Sequence, residues 1–162
     1  YNGDALGVLN DYSYANDPSK SNDNRWVHRP KIIWENAELR KKQGTVEYTI
    51  FNAMKKMISI RKEISAFADF NNRELLQLEN EHLLGFVRFN HQRPSEKVLI
   101  LANFNAHPQS LSLETISNAG FKPYGQFIDL YSGRKPNQDD STDSTNSTIE
   151  LQGYQFYWLT ET

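Results

Sequence analysis

Cysteine is absent from this sequence of 162 residues, and its absence excludes several kinds of chemistry. Without a thiol the chain has no disulfide, no thiolate metal site and no cysteine nucleophile. An excess of one charge is also lacking, because 18 basic and 20 acidic residues give a formal net charge of −2. We therefore expect neither nucleic acid nor an anionic membrane as a partner. No apolar run approaches the length of a membrane-spanning helix.

The length of the chain limits its architecture. It has enough residues for one domain with a substantial core. An eight-stranded βα barrel needs about 250 residues, so the chain is too short to hold one. The sequence opens at Tyr1 inside a motif, without an initiator Met or a leading strand. This beginning predicts a fragment of a longer polypeptide.

The first 44 residues lack both helical and strand periodicity, and they mix aromatic rings with amides, carboxylates and arginines. Residues 1–7 read YNGDALG, and residues 22–30 read NDNRWVHRP. Carbohydrate sites need this mixture, because a sugar offers C–H faces to aromatic rings and hydroxyls to polar groups. We expect a loop with short turns, and the aromatic content argues against disorder.

Residues 45–65 carry the clearest helical pattern. Ile50, Met54, Met57 and Ile58 lie on one apolar stripe at spacings of three and four. Such a stripe requires an apolar partner. The β-sandwich that the following residues predict would not bury all of it, so we expect the stripe to be partly uncovered in this chain. Its exposed part should cause self-association or a fold-back of residues 1–44 onto it.

From residue 70 onward the apolar period changes to two, which predicts short strands. The expected strands are residues 74–78, 82–90, 96–104, 109–114, 126–131, 148–152 and 155–160. Residues 98–102 are apolar on both faces and predict a central, buried strand. Short strands with turn signals between them predict an antiparallel β-sandwich. The polar, low-complexity residues 139–148 predict a flexible loop, and their acids lack the spacing of an EF-hand calcium loop.

Several motifs resemble one enzyme family. Tyr-x-Gly-Asp at residues 1–4, Leu-Asn-Asp-Tyr at residues 9–12 and Asp-Asn-Arg-Trp-Val-His-Arg-Pro at residues 23–30 resemble the segment after the eighth barrel strand of the α-amylase family, glycoside hydrolase family 13. The pattern is most similar to that of amylosucrase and related sucrose-active members. Weaker similarity extends through nearly the whole chain. One departure is Ala5, where the family usually has Glu.

The resemblance implies a mainly β fold in two parts. Residues 1–66 would be the C-terminal end of a catalytic βα barrel, namely the loop after strand eight and helix eight. Residues 67–162 would form the Greek-key β-sandwich that follows the barrel. The family's catalytic carboxylates lie upstream of residue 1, so we expect no catalytic residue here and an inactive isolated chain. We expect no metal and no cofactor, and the missing barrel of the same polypeptide is an expected partner.

The resemblance also implies a function. The parent would be a retaining, α-glucan-active enzyme that cleaves sucrose or α-glucosides and transfers glucose to glucan or water. Its expected location is the bacterial cytoplasm, with secretion left open. The alternative is a stand-alone, non-catalytic carbohydrate-binding sandwich, which would carry exposed aromatic rings on one face. The strand positions of the candidate rings favour burial in the core instead: Phe86, Phe104, Phe127, Phe156 and Trp158.

Arg25 is the leading candidate for sugar binding. The resemblance implies that it closes the bottom of a donor-glucose pocket by pairing with an aspartate from an early barrel loop. A guanidinium fork suits that role, because it can bind a carboxylate bidentately. The alternative is that Arg25 tethers its loop to backbone carbonyls. Asp17 and Asp23 are weaker candidates for substrate binding.

The remaining loop residues favour structural roles. Trp26 and Trp34 are expected to pack under the loop rather than to stack on sugar. His28 is expected to be a hydrogen-bonded structural residue rather than a ligand.

Overall fold

The computed structural model describes residues 3–122, 126–139 and 147–162. The chain divides into two compact units, Tyr1–Ile58 and Ser59–Thr162. The loop expected over residues 139–148 falls mostly outside the described residues. Among the helices of the described ranges, none combines the length and the apolar character needed to cross a membrane.

Short helices and turns make up most of the first unit, as expected for residues 1–44. The 3-10 helices are Asp4–Leu6, Tyr12–Asn16, Asn24–His28 and Glu38–Lys41, and the four-residue helix α1 is Trp34–Ala37. Gly7 ends the first of them with φ at +64°, a left-handed conformation that favours glycine. An added Cβ would also lie 2.5 Å from Ile50 Cδ1, so the end of that side chain would have to shift.

Helix α2 spans Val46–Glu63, close to the expected 45–65. Thr45 is its N-cap residue, because Thr45 Oγ1 accepts a hydrogen bond from the Tyr48 N–H at 3.2 Å. The apolar stripe is in contact with Gly7 at Ile50, whereas Met54 and Ile58 remain 37% and 52% exposed. A partly uncovered stripe is therefore confirmed, and self-association stays a prediction.

The second unit is a β-sandwich, as the sequence predicted. Its strands are β1 Arg73–Leu75, β2 Leu83–Asn90, β3 Arg93–Asn103, β4 Gln109–Ser112, β5 Phe127–Asp129, β6 Asn137–Asp139, β7 Thr148–Leu151 and β8 Phe156–Glu161. A five-stranded sheet has the order β1-β2-β3-β8-β5, and a three-stranded sheet has the order β4-β7-β6. All the strand pairs are antiparallel.

Strand β3 lies in the middle of the larger sheet and is apolar on both faces, as expected. Leu99 and Leu101 point into the core between the two sheets, where they join residues such as Ile149. Val98 and Ile100 point to the opposite face, which the 3-10 helix Ser65–Phe67 covers. Both faces are thus removed from water, which is why the strand shows no alternation of polar and apolar residues.

One helix and strand β6 were not predicted from the sequence. The strand expected over residues 109–114 stops at Ser112, and Leu113–Asn118 forms helix α3. Ser112 Oγ accepts a hydrogen bond from the Glu114 N–H at 3.1 Å, and this helix cap ends the strand. Strand β6 was not predicted, because its residues Asn-Gln-Asp carry no apolar alternation, and its pairing with β7 defines it.

The aromatic residues expected in the core divide into three groups. Phe127 is buried, and Phe86, Phe156 and Trp158 are half-buried. The expectation of burial is wrong for Phe104, which is 68% exposed. Strand β3 ends one residue earlier, at Asn103, so Phe104 lies beyond the sheet pairing that would have fixed it against the core.

Candidate functional site

Three aspartates spaced six residues apart organise the loop of the first unit. Each accepts the backbone N–H two residues further on, at 2.9–3.0 Å: Asp11 from Ser13, Asp17 from Ser19 and Asp23 from Arg25. Aspartate suits such a turn, because its short carboxylate satisfies a backbone donor that lacks a partner. The loop therefore obtains its shape from local caps.

The side chain of Arg25 is oriented by the neighbouring carboxylate. Its Nε donates to Asp23 Oδ1 and its Nη2 donates to Asp23 Oδ2, both at 2.8 Å. This bidentate pair is the strong arrangement for guanidinium and carboxylate. The Arg25 side chain is nonetheless 72% exposed to solvent. The structure thus presents a guanidinium at the surface in a defined orientation.

Asp17 is engaged within its own turn. Its carboxylate binds Lys20 Nζ at 2.7 Å and Ser19 Oγ at 2.6 Å. The hydrogen bond from Lys20 is the main cause that lowers the pKa of Asp17 to about 2. Arg25 is the main cause that lowers the pKa of Asp23 to about 2.

These pKa values define what the two acids can do. Asp17 and Asp23 are ionised at neutral pH, so neither holds a proton that a general acid could donate. An ionised carboxylate does accept hydrogen bonds from hydroxyl groups. The geometry therefore suits Asp17 and Asp23 to positioning and to binding.

The two tryptophans of this region differ from the expectation in part. Trp26 is half-buried, and Lys20 Nζ and the Arg29 guanidinium lie 5.3 and 5.6 Å from its ring centroid. Such distances allow cation–π attraction. Trp34 is 71% exposed, so the expectation that it packs under the loop is wrong. It begins helix α1, whose only buried residue is Ala37.

A cleft of about 500 Å³ lies in the first unit, within the size range of small-molecule sites. Its walls combine a carboxylate, an amide, an imidazole and a guanidinium with apolar residues: Gly3, Asp4, Val8, Asn10, His28, Arg29, Pro30 and Ile32. His28 Nδ1 and Asn10 Oδ1 lie 3.2 Å apart, which agrees with the expected hydrogen-bonded role of His28.

The sequence did not single out this cleft as a site. Asn10 and Arg29 were not among the candidate residues, although each lies in a motif that carried the family resemblance. The shared motifs were the available signal. In the described part of the chain, no group of three or more His, Asp or Glu side chains could hold a metal ion.

No family model matches the chain. Its fold is similar to part of several solved α-amylase-family enzymes. AmyP E221Q in complex with maltotriose aligns with a TM-score of 0.54 and 13% identity, over 75% of this chain and 23% of that one. The α-glucosyl transfer enzyme XgtA aligns with a TM-score of 0.53 and 17% identity, over 91% and 24%. Pullulanase from Anoxybacillus sp. LM18-11 aligns with a TM-score of 0.50 and 12% identity, over 82% and 17%.

At these identities the likeness is one of fold. The mostly antiparallel architecture is consistent with the C-terminal β-sandwich domain of α-amylase-family enzymes, so the expected fold class is confirmed. The chain spans between 17% and 24% of the length of these three structures.

Proposed function

We propose that this chain is the C-terminal part of an α-amylase-family enzyme that acts on α-glucosides. Residues 1–66 then complete the catalytic barrel, and residues 67–162 form the sandwich that follows it in the chain. Two kinds of observation support this proposal. The fold is similar to part of XgtA and AmyP, which are several times longer, and the loop motifs resemble the segment after barrel strand eight.

Sucrose is the donor that we propose, with a glucan or water as acceptor. In the retaining reaction one carboxylate displaces the leaving fructose and forms a covalent glucosyl–enzyme intermediate, while a second carboxyl group protonates the departing oxygen. The acceptor hydroxyl then displaces the enzyme carboxylate and gives its proton to the second group. In this proposal the preceding part of the polypeptide supplies both groups.

The observation that carries the pocket proposal is the orientation of Arg25. Asp23 holds its guanidinium in a bidentate pair, while the side chain stays 72% exposed. In the whole protein we assign this guanidinium to the closed end of the donor pocket. There it engages an upstream carboxylate, either beside Asp23 or in exchange for it. A charge pair at that end would stop a longer glucan and admit one glucosyl unit.

Substitution of Arg25 in the full-length protein tests the proposal. Arg25→Ala should lower kcat/KM for sucrose by about thirty-fold or more, because it leaves the upstream carboxylate without its partner in a confined site. Arg25→Lys should restore little of that loss, since an ammonium lacks the planar fork. Asp23→Asn should cause a smaller loss, because it weakens the orientation of the guanidinium but keeps its charge.

Arg93→Ala is the matched control, because Arg93 is also exposed and its Nη1 binds the carboxylate of Glu96 at 2.6 Å. This variant should retain wild-type turnover. If Arg25→Ala stays within a few-fold of wild type at unchanged stability, Arg25 only tethers the loop and the pocket assignment is wrong.

The second candidate function is a stand-alone carbohydrate-binding sandwich. The exposure of Phe104 and Tyr154 favours it, because binding modules present aromatic rings to solvent. The two functions predict different activities for the full-length protein. If the full-length protein is an enzyme it turns over sucrose, and if it is a binding module it does not. In either case the isolated 162-residue chain should neither hydrolyse sucrose nor transfer glucose. Turnover by a pure preparation of the isolated chain would refute the assignment of the catalytic carboxylates to the preceding part.

A further inference from the structure

Two aromatic rings are exposed where strands β3 and β8 meet at the end of the larger sheet. Phe104 is 68% exposed and Tyr154 is 71% exposed. Beyond the pairing of Ala102 with Phe156, the Asn103 N–H donates to the Gln155 carbonyl at 2.9 Å, so the segments that carry the two rings run side by side. The Tyr154 N–H donates to the Asn105 carbonyl at 3.0 Å, which confirms that the two loops are adjacent.

The backbone conformation of Tyr154 is unusual for a residue other than glycine. Its φ of +58° is the only positive value at a non-glycine position within the described residues. A left-handed conformation costs free energy for any residue with a Cβ and persists only where the surroundings impose it. A turn imposes it here, closed by a hydrogen bond of 3.0 Å from the Gln155 N–H to the Gln152 carbonyl.

The backbones of the two loops approach each other closely at Gly153 and Ala106. A Cβ added at Gly153 would lie 2.1 Å from the Ala106 carbonyl oxygen, so only glycine fits this approach of the two backbones. The two backbones are tightly packed at this point. The backbone positions that carry both rings are therefore set before any ligand arrives, which lowers the entropic cost of binding.

The Asn103 side chain is only 3% exposed and forms hydrogen bonds with both loops. Its Nδ2 donates to the carbonyls of His107 and Gln152, both at 2.9 Å, and to that of Leu151 at 3.2 Å. Its Oδ1 accepts from the Asn105 N–H at 2.8 Å. One buried side chain thus fixes the loop that carries Phe104 and the turn that carries Tyr154.

The size and surroundings of the two rings fit a sugar better than a protein. Aromatic side chains bury roughly 150–250 Å² each, whereas a stable protein interface buries about 1,200–2,000 Å² in total. Two rings therefore match one or two sugar residues. The neighbouring positions carry polar side chains: Asn105, His107, Gln152 and Gln155. Asn105 Oδ1 and Gln155 Oε1 accept backbone N–H groups at 2.9 and 2.7 Å, and the amide nitrogens of the same two side chains can donate to sugar hydroxyls.

We propose that Phe104 and Tyr154 form a glucan-binding platform on the sandwich. The rings cover the C–H faces of glucosyl units, and the surrounding amides contact their hydroxyls. This platform shares no residue with the loop that carries Arg25. The sugar class follows from the rings, whereas the choice of an α-glucan rests on the proposed function.

Retention of the full-length protein in a glycogen-containing native gel tests the platform. The variants are Phe104→Ala, Tyr154→Asn and their combination, since asparagine tolerates the left-handed conformation and removes the ring. Phe70→Ala is the matched control, because Phe70 is 82% exposed in the same unit. All variants are compared in the wild-type and Arg25→Ala backgrounds, so that binding through the donor pocket is separated from binding on the sandwich.

The double variant should lose at least ten-fold in apparent affinity for glycogen in both backgrounds. Phe70→Ala should match wild type, and sucrose turnover should be unchanged in all the variants with Arg25 intact. If the wild-type protein does not turn over sucrose and the double variant loses glycogen retention, the platform is supported and the proposed enzyme is rejected. Unchanged retention of the double variant would overturn the platform. A fall in melting temperature or in oligomer size without a change in retention would also overturn the platform. It would mean that another part of the protein or a second copy covers the rings.

Discussion

The two units of this chain are stabilised in different ways. In the described part of the first unit, Ala37 is the one buried hydrophobic residue, and capped turns and ion pairs fix the backbone. The second unit encloses an apolar core between two sheets and a smaller apolar cluster beside it. Capped turns define a local shape while keeping polar groups at the surface. A core supplies cooperative stability, because burial of apolar area is the dominant favourable contribution to folding.

The largest expected effect is in the core of the second unit. Leu99 is fully buried in the central strand. Leu99→Asp would bury an unpaired carboxylate at a cost of several kcal/mol, against a total stability of roughly 5–15 kcal/mol. The variant should yield no soluble folded protein. Phe70→Asp, at an exposed position, is the control and should melt like wild type. Normal thermal melting of Leu99→Asp would contradict the core assignment.

A buried carboxylate of the second unit gives the next largest effect. Asp129 is 2% exposed and accepts from the backbone N–H groups of Ser132 at 2.8 Å and Trp158 at 2.9 Å. Asp129→Ala leaves these buried donors unsatisfied and should cost about 2–4 kcal/mol in the free energy of unfolding by urea. Asp129→Asn keeps one acceptor oxygen and should cost less. Equal losses for the two variants would show that the carboxylate oxygens are not what holds this turn.

In the first unit, acid should act on the aspartate turns. The pKa values of Asp17 and Asp23 are lowered from 3.8 to about 2, mainly by Lys20 and Arg25 respectively. A depressed pKa in the folded state adds stability that is fully present above about pH 4 and is lost as the pH falls through about 2. The amide proton signals of Ser19 and Arg25 should therefore shift with midpoints near the lowered values.

Asp23→Asn is the control for this titration, because it should remove the acid transition at Arg25 and leave that at Ser19 in place. Midpoints near 3.8 would show that the ion pairs do not persist in solution.

The smallest expected effect on stability is on the exposed part of helix α2. Ile58→Glu should change the unfolding free energy by no more than about 0.5 kcal/mol, since about half of its side chain is in water, and Met54→Glu, at 37% exposure, should cost only slightly more. Together they should abolish any self-association that light scattering detects for the wild-type chain. Ile50→Glu is the contrasting variant, because Ile50 contacts Gly7 and the change should cost more. Association that survives the double substitution would exclude the stripe as its surface.

Local patterns predicted the major elements of the fold. The stripe of helix α2 and the doubly apolar strand β3 could be recognised because each pattern is contained within the residues of one element. Helix α3 could not be recognised, because Leu111 and Leu113 alternate like a strand and the choice depends on a cap at Ser112. Strand β6 depends on its partner β7, so its own residues carry no signal.

The candidate site was predicted less completely than the fold. The motif around Arg25 and the acidic character of Asp17 and Asp23 are visible in the sequence. Their pairing is not, because a bidentate bond depends on the φ and ψ angles of the turn and on side-chain rotamers. The exposure of Phe104 also follows from where strand β3 ends, which pairing with its neighbours decides.

The sequence by itself determined the class of the fold, the place of the long helix, the buried central strand and the polar, aromatic character of the first loop. These properties depend on composition and on periodicity, which act over a few neighbouring residues. The tertiary structure alone decided that loop residues distant in the chain line one cleft, and that Asn103 joins the loop that carries Phe104 to the turn that carries Tyr154. Each of these depends on contacts made only after the chain has turned back on itself, and no local pattern encodes them.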